Sequence, residues 1–339
     1  MRFRNLRSLA CLVASAPLLM GFLNDTTWVT SSPTASGSSG VLDIAAPPAS
    51  STTNLYTMYV MVQRSGQRLF RSADHGVTWA GVSVTSCTDL ESVGIAPAAP
   101  STVMVASNTS NNNACVNTND GTGSWAATHQ SINPQNWRAI TVVGDGTVRA
   151  YSANATGIAR YDGNNGWATK VNGNGWDVAA YPNVSNRVYA ALDQGVYRSL
   201  DDGVTWAAAT NAPGGGATAV AMNDNAFGRT ANVVIGGVLY QNLNESSVWT
   251  DLSSGLPNAD VLDIAYDQTR HDLWALVENA GVYRRAQGSW HQCDTGLDPS
   301  GLTKLAVDGG GKYAHTGGPD ATIWHLNIAN AIGANNCGP

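Results

Sequence analysis

Six tryptophans set the period of this chain. Trp79, Trp125, Trp167, Trp206, Trp249 and Trp290 are separated by 46, 42, 39, 43 and 41 residues. Each follows a polar or glycine-containing turn and opens a short segment: VTWAGVS, GSWAATH, GWATKV, VTWAAAT, VWTDLS, SWHQC. Ahead of each turn stands a strand-like stretch such as RLFRS, GIARY, GVYRS, VLYQN or GVYRR, and ahead of that lie further β-rich runs. The repeating unit is therefore four short strands in about 40 residues, which leaves no room for a helix. Composition agrees: only 12% of residues are charged, three are lysine, and Gly (36) and Trp (11) are abundant.

A single four-stranded sheet cannot bury both of its faces, but radially arranged sheets cover one another. The pattern predicts an all-β fold, a seven-bladed β-propeller of four-stranded antiparallel blades. Innermost strands are expected at 41–47, 91–97, 138–143, 177–182, 217–223, 261–267 and 303–309. The seventh unit lacks a tryptophan-bearing outer strand of its own. DTTWVTS (25–31) resembles VTWAGVS and can supply it by pairing with ATIWHLN (321–327), which removes two sheet edges. In the other reading, residues 23–40 are a disordered Ser/Thr/Gly leader. The propeller is expected over 41–328, with a C-terminal tail at 329–339.

Residues 1–22 hold Arg2, Arg4 and Arg7 ahead of an apolar run to Phe22 and contain no acid, the pattern of a signal peptide cleaved after Ala16 or somewhat later. The expectation is a secreted or periplasmic protein without membrane insertion. Without that segment 15 basic residues face 24 acidic ones, a net charge of −9. Nucleic acid is disfavoured as a partner, because phosphate binding needs a basic face. Four cysteines remain, Cys87, Cys115, Cys293 and Cys337, an even count that favours two disulfides in an exported chain. The local pairings are 87–115 and 293–337; the second would fasten the tail to the ring.

SADHGVTW (72–79) and SLDDGVTW (199–206) share the pattern Ser-x-Asp-x-Gly-x-Thr-Trp. It resembles the Asp-box, or bacterial neuraminidase repeat, with partial copies at NTNDGTGSW and YDGNNGW. Ser72, Asp74, Gly76, Trp79, Ser199, Asp201, Gly203 and Trp206 read as structural: the aspartates close a tight turn, the glycines take positive φ and the tryptophans pack between blades. Calcium would need six or more oxygen ligands, more than Asp201 and Asp202 bring. In families with the box it lies between the third and fourth strands, on the face away from the functional site. The resemblance extends to sialidases, xyloglucan-hydrolysing enzymes, photosystem assembly factors and sorting-receptor ectodomains. A sialidase is disfavoured, since Arg-Ile-Pro is missing and Arg71, Arg160, Arg198 and Arg284 occupy one repeated blade position. No CxxC or Cys/His cluster suggests zinc and no cofactor motif occurs.

Two groups depart from the repeat. Matching VLDIAAP, VLDIAYD and TKLAVDG places Asp43, Asp263 and Lys304 at one position of neighbouring blades, where Val93, Val178 and Ala219 stand elsewhere and Arg138 lies at or one residue away. Such a cluster faces the central channel, either as an ion-pair network or as a polar ligand site. Trp137 and Trp176 precede innermost strands of adjacent blades and read either as core packing or as stacking platforms for sugar rings. Three functions stay open: recognition of a polysaccharide, glycoprotein or protein partner by a monomer; a sialidase- or xyloglucanase-like glycoside hydrolase with carboxylates at the channel mouth; and an envelope or assembly scaffold. Catalytic residues are not assigned.

Overall fold

The structure, a computed structural model, describes residues 26–338 except 34–39, 47–56, 65, 67, 97–98, 100, 110–111, 129–135, 145–147, 164–165, 183, 226–227 and 335. The signal-like segment 1–22 lies outside the described residues. The described chain forms seven four-stranded antiparallel sheets arranged as a seven-bladed β-propeller. Innermost strands are Val41–Ala45, Leu90–Ile95, Trp137–Gly144, Gly175–Tyr181, Ala217–Asn225, Val261–Asp267 and Lys304–Val307, for blades 1 to 7. Blade 7 takes its outer strand from the other end of the chain: Val29–Ser31 pairs with Ile323–Asn327, Val29 opposite His325.

Both faces of each blade pack against neighbours, so the second strands lose the alternation of a half-exposed sheet. Met58–Val62 and Asp272–Val277 are buried at every residue. Seven apolar clusters form, one at each junction between blades. The tryptophans bracket the rim. Trp79 Nε1 donates to Ser31 Oγ (2.9 Å), Trp167 to Thr128 Oγ1 (2.9 Å), Trp249 to Thr210 O (3.1 Å) and Trp290 to Leu252 O (2.7 Å), each reaching the preceding blade. Trp28, just ahead of the N-terminal strand, makes the same kind of contact from blade 7 to Cys293 O, whereas Trp206 donates to Gly203 O of its own turn.

The two complete Ser-x-Asp-x-Gly-x-Thr-Trp turns are self-contained. Asp74 takes Thr78 N–H (2.8 Å) and Thr78 Oγ1–H (2.6 Å), while Ser72 Oγ accepts from Gly76 N–H (2.8 Å). Asp201, Thr205, Ser199 and Gly203 repeat the scheme. Burial opposes ionisation of Asp74, yet these hydrogen bonds hold its carboxyl below the usual range. Hydrogen bonds from Thr205 bring Asp201 down to about 2. Gly76 and Gly203 have φ of +84° and +71°, where a side chain is strained.

Asp120 and Asp202, the residues before the turn glycines Gly121 and Gly203, latch blades together. Asp120 accepts from Tyr59 Oη (3.0 Å) and pairs with Arg71 of the preceding blade. Asp202 accepts from Tyr151 Oη (2.8 Å) and pairs with Arg149 and Arg160. At the repeated arginine position Arg198 likewise reaches the next blade, at Glu245 O (2.9 Å), whereas Arg284 pairs with Asp272 of its own blade and donates to Cys337 O of the tail. Disulfides join Cys87 to Cys115 and Cys293 to Cys337. The second ties down a tail that contains a short helix, Ile328–Gly333, an element the β repeat does not announce. Among the described residues no helix is long and apolar enough to cross a membrane.

Candidate site at the channel mouth

In blades 1 to 6 the innermost strand bulges near its start, so one extra residue stands out of register. A β-bulge bends the strand and re-aims the extra side chain. Here the extra residues are Leu42, Glu91, Arg138, Trp176, Thr218 and Leu262. With Lys304 of blade 7 and Trp137 they line a cup of about 420 Å³. The cup opens where innermost strands begin, on the face opposite the Ser-x-Asp-x-Gly-x-Thr-Trp turns, because those turns join third to fourth strands.

The residue after each bulge holds one equivalent position around the ring. Asp43, Ser92, Ala139, Asp177, Ala219 and Asp263 hold this position. Lys304 holds it in blade 7, since Leu305 N–H matches Val93 N–H and Val220 N–H as a donor to the carboxylate of the preceding blade. The alignment that put Val93 and Val178 beside Asp43 is corrected by one residue: Ser92 and Asp177 stand there. Arg138 lies one residue away, in the bulge, with Ala139 at the position itself. Asp177 was the acid that sequence matching missed, because a gapless match on strand ends cannot see the second register shift of this strand, between Ala180 and Tyr181.

Three of these carboxylates are interlocked with backbone. Asp43 accepts from Ile44 N–H (2.9 Å), Val93 N–H (2.9 Å) and Ser92 Oγ (2.5 Å). Asp177 accepts from Val178 N–H (2.7 Å) and Val220 N–H (2.8 Å). Asp263 accepts from Ile264 N–H (2.9 Å) and Leu305 N–H (2.8 Å). Each clamps its own blade to the next. Asp43 and Asp177 line a channel cavity of about 320 Å³ together with aliphatic residues such as Ile44, Ile140 and Val178.

The charges interact across the ring. Burial and the Asp263 carboxylate push Asp177 up to about 7, against the Val220 N–H and Lys304. Burial also raises Asp263, opposed by Lys304 and two N–H groups. Burial disfavours the Lys304 ammonium, but Asp263, Asp43 and Asp177 together hold it above the usual range. No ion pair within 4.0 Å joins Lys304 to them among the described residues. Higher in the cup, burial and Asp89 raise Glu91 despite Arg68 nearby.

The two tryptophans separate. Trp137 is 2% exposed and packs edge-on against Trp167 at 5.0 Å, so its ring is core. Trp176 is 37% exposed. The Arg138 guanidinium lies 3.7 Å from its ring centroid, and Arg138 is itself held by Asn174 Oδ1 (2.8 Å) and Gly175 O (3.0 Å). Asp193 accepts the indole N–H and also Asn174 Nδ2–H (2.7 Å). Trp176 is thus fixed from one face and one edge. Among the described residues no group of His, Cys, Asp and Glu could hold a metal ion.

No family model and no curated protein sequence matches the chain. Solved structures of the same shape do. YCF48 bound to D1 peptide superposes with a TM-score of 0.63 at 16% identity, covering 90% of this chain and 98% of that one. YCF48 from Cyanidioschyzon merolae gives 0.65 at 16%, covering 90% and 99%. The GH74 xyloglucanase from Xanthomonas campestris gives 0.67 at 16%, covering 90% of this chain and 54% of its own, so this chain spans about half of that enzyme. At these identities the similarity is one of fold.

Proposed function

We propose that this chain is an exported Asp-box propeller that acts as a recognition module, binding a carbohydrate or protein partner at the channel mouth. The observation that carries it is Trp176, an exposed indole already immobilised by Arg138 and Asp193. A platform ordered before binding spares the entropy of fixing a side chain, and its open area suits the C–H face of a sugar ring. The neighbours fit a binding role of either kind, since one is a peptide complex and another a xyloglucanase. Two disulfides suit an oxidising compartment.

A glycoside hydrolase reading is weaker. Both oxygens of Asp43, Asp177 and Asp263 are engaged by backbone N–H groups, which suits clamps better than groups that attack or protonate a substrate. The test is a glycan array with the wild type and Trp176→Ala. Signals on neutral saccharides that Trp176→Ala removes support the reading. Binding that survives the substitution, or an array without hits, overturns the saccharide form of it. Turnover of any bound glycan would revive the hydrolase.

A further inference from the structure

The cup has a neighbour on the same face. A second hollow of about 400 Å³ lies between the loop joining the second and third strands of blade 1 and the connector from blade 1 to blade 2. The first supplies Gly66 and Arg68; the second supplies Ser83, Thr88, Asp89 and Leu90 among its lining. Leu90 lines this hollow and the next residue, Glu91, lines the cup. Arg68 stands at the join. Its guanidinium meets Asp89 Oδ1 at 2.7 Å, Leu90 O at 3.1 Å and Glu91 Oε1 at 3.7 Å.

The connector wall is firmly held. Cys87 is bonded to Cys115 of blade 2, Ser86 Oγ donates to Trp125 O (2.7 Å), Ser107 Oγ donates to Thr88 O, and Asn108 N–H donates to Asp89 O (2.9 Å). Four attachments over four residues make a fixed wall, and each hollow is in the size range that takes a small ligand. The cations of the two hollows are each answered by acids already in place: Arg68 by Asp89 and Glu91, Arg138 by Asp193, and Lys304 by Asp263, Asp43 and Asp177. A polyanion or polycation gains nothing from such a rim, whereas forked guanidinium and carboxylate groups with hydroxyls suit the vicinal hydroxyls of a sugar.

We propose that the two hollows are subsites for one extended, uncharged polysaccharide chain, with one unit on Trp176 and a further unit beyond the Arg68–Glu91 pair. This rests on the saccharide reading of the cup. The probe is a series of β-1,4-linked gluco-oligosaccharides of two to six units, measured by calorimetry. Wild type should gain about tenfold in affinity along the series, roughly 1.4 kcal/mol. Ser83→Trp, at an exposed position of the second hollow, should abolish that gain and leave the shortest probe's affinity unchanged. Affinity independent of length, or a full gain retained by Ser83→Trp, overturns the two-subsite proposal while the cup still binds. Failure of every probe to bind, or binding indifferent to Trp176→Ala, overturns the saccharide reading and this proposal with it.

Discussion

Asp177 shows how one buried carboxylate can mark a whole ring. Its carboxyl, pushed up to about 7 by burial and by Asp263, keeps its proton in the folded state where the unfolded chain has lost it. Between the ordinary aspartate value and about 7 the folded state binds more protons, so this residue's contribution is fully present at low pH and fades as pH rises through 7. Asp177→Asn cannot titrate. It should be less stable than wild type at pH 5, because an amide N–H₂ meets one of the two backbone donors, a loss of about 1–2 kcal/mol. That gap should narrow by pH 8. Urea midpoints for both proteins across this range check it, and a constant gap would show that Asp177 is ionised throughout.

At the level of the element, the repeat was legible because its tryptophans and turns recur in register. The site was legible only in part. Asp43, Asp263 and Lys304 emerged because their strands read alike, while Asp177 hid behind a second register shift, between Ala180 and Tyr181, that offsets GWDVAAY by one residue. Trp137 and Trp176 look equivalent in sequence, yet Trp137 stays paired with Asn154 ahead of its bulge while Trp176 is itself the extra residue of its own, so one enters the core and the other the cup. The second hollow depends on two loops meeting across a blade junction, which no local pattern records. The turn itself carries a prediction. Ser199 is buried and its Oγ accepts from Gly203 N–H at 2.7 Å while donating to Asp201. Ser199→Ala strands that donor and should cost about 1–3 kcal/mol in chemical denaturation. Ligand binding on the opposite face should be unchanged; a matching loss of affinity would mean that the faces are coupled.

For the whole molecule, the weak point of a ring is where its ends meet. Blade 7 is closed by three residues, Val29–Ser31, and beside this seam lie three histidines. His315 and His325 are cross-strand partners and buried, and both ring nitrogens of His315 lack a hydrogen bond among the described residues. His75, from the turn of blade 1, stacks on Tyr313 at 4.7 Å and meets Asp308 at 2.8 Å. Burial holds His325 down to about 4 against the pull of Asp74, and burial with the neighbouring histidines holds His315 well below its usual value. Buried neutral histidines stabilise the fold above the unfolded value near 6.5, and that contribution is lost as pH falls toward 4. Asp177 acts with the opposite sign over the same range, so a global melt blurs the two. Hydrogen-exchange protection separates them. Amides of Val29–Ser31 and Ile323–Asn327 should lose protection between pH 6.5 and 4.5 more than those of Gly175–Tyr181, and His315→Phe combined with His325→Phe should suppress the difference. Equal loss in both blades would mean that acid loosens the ring without regard to its seam.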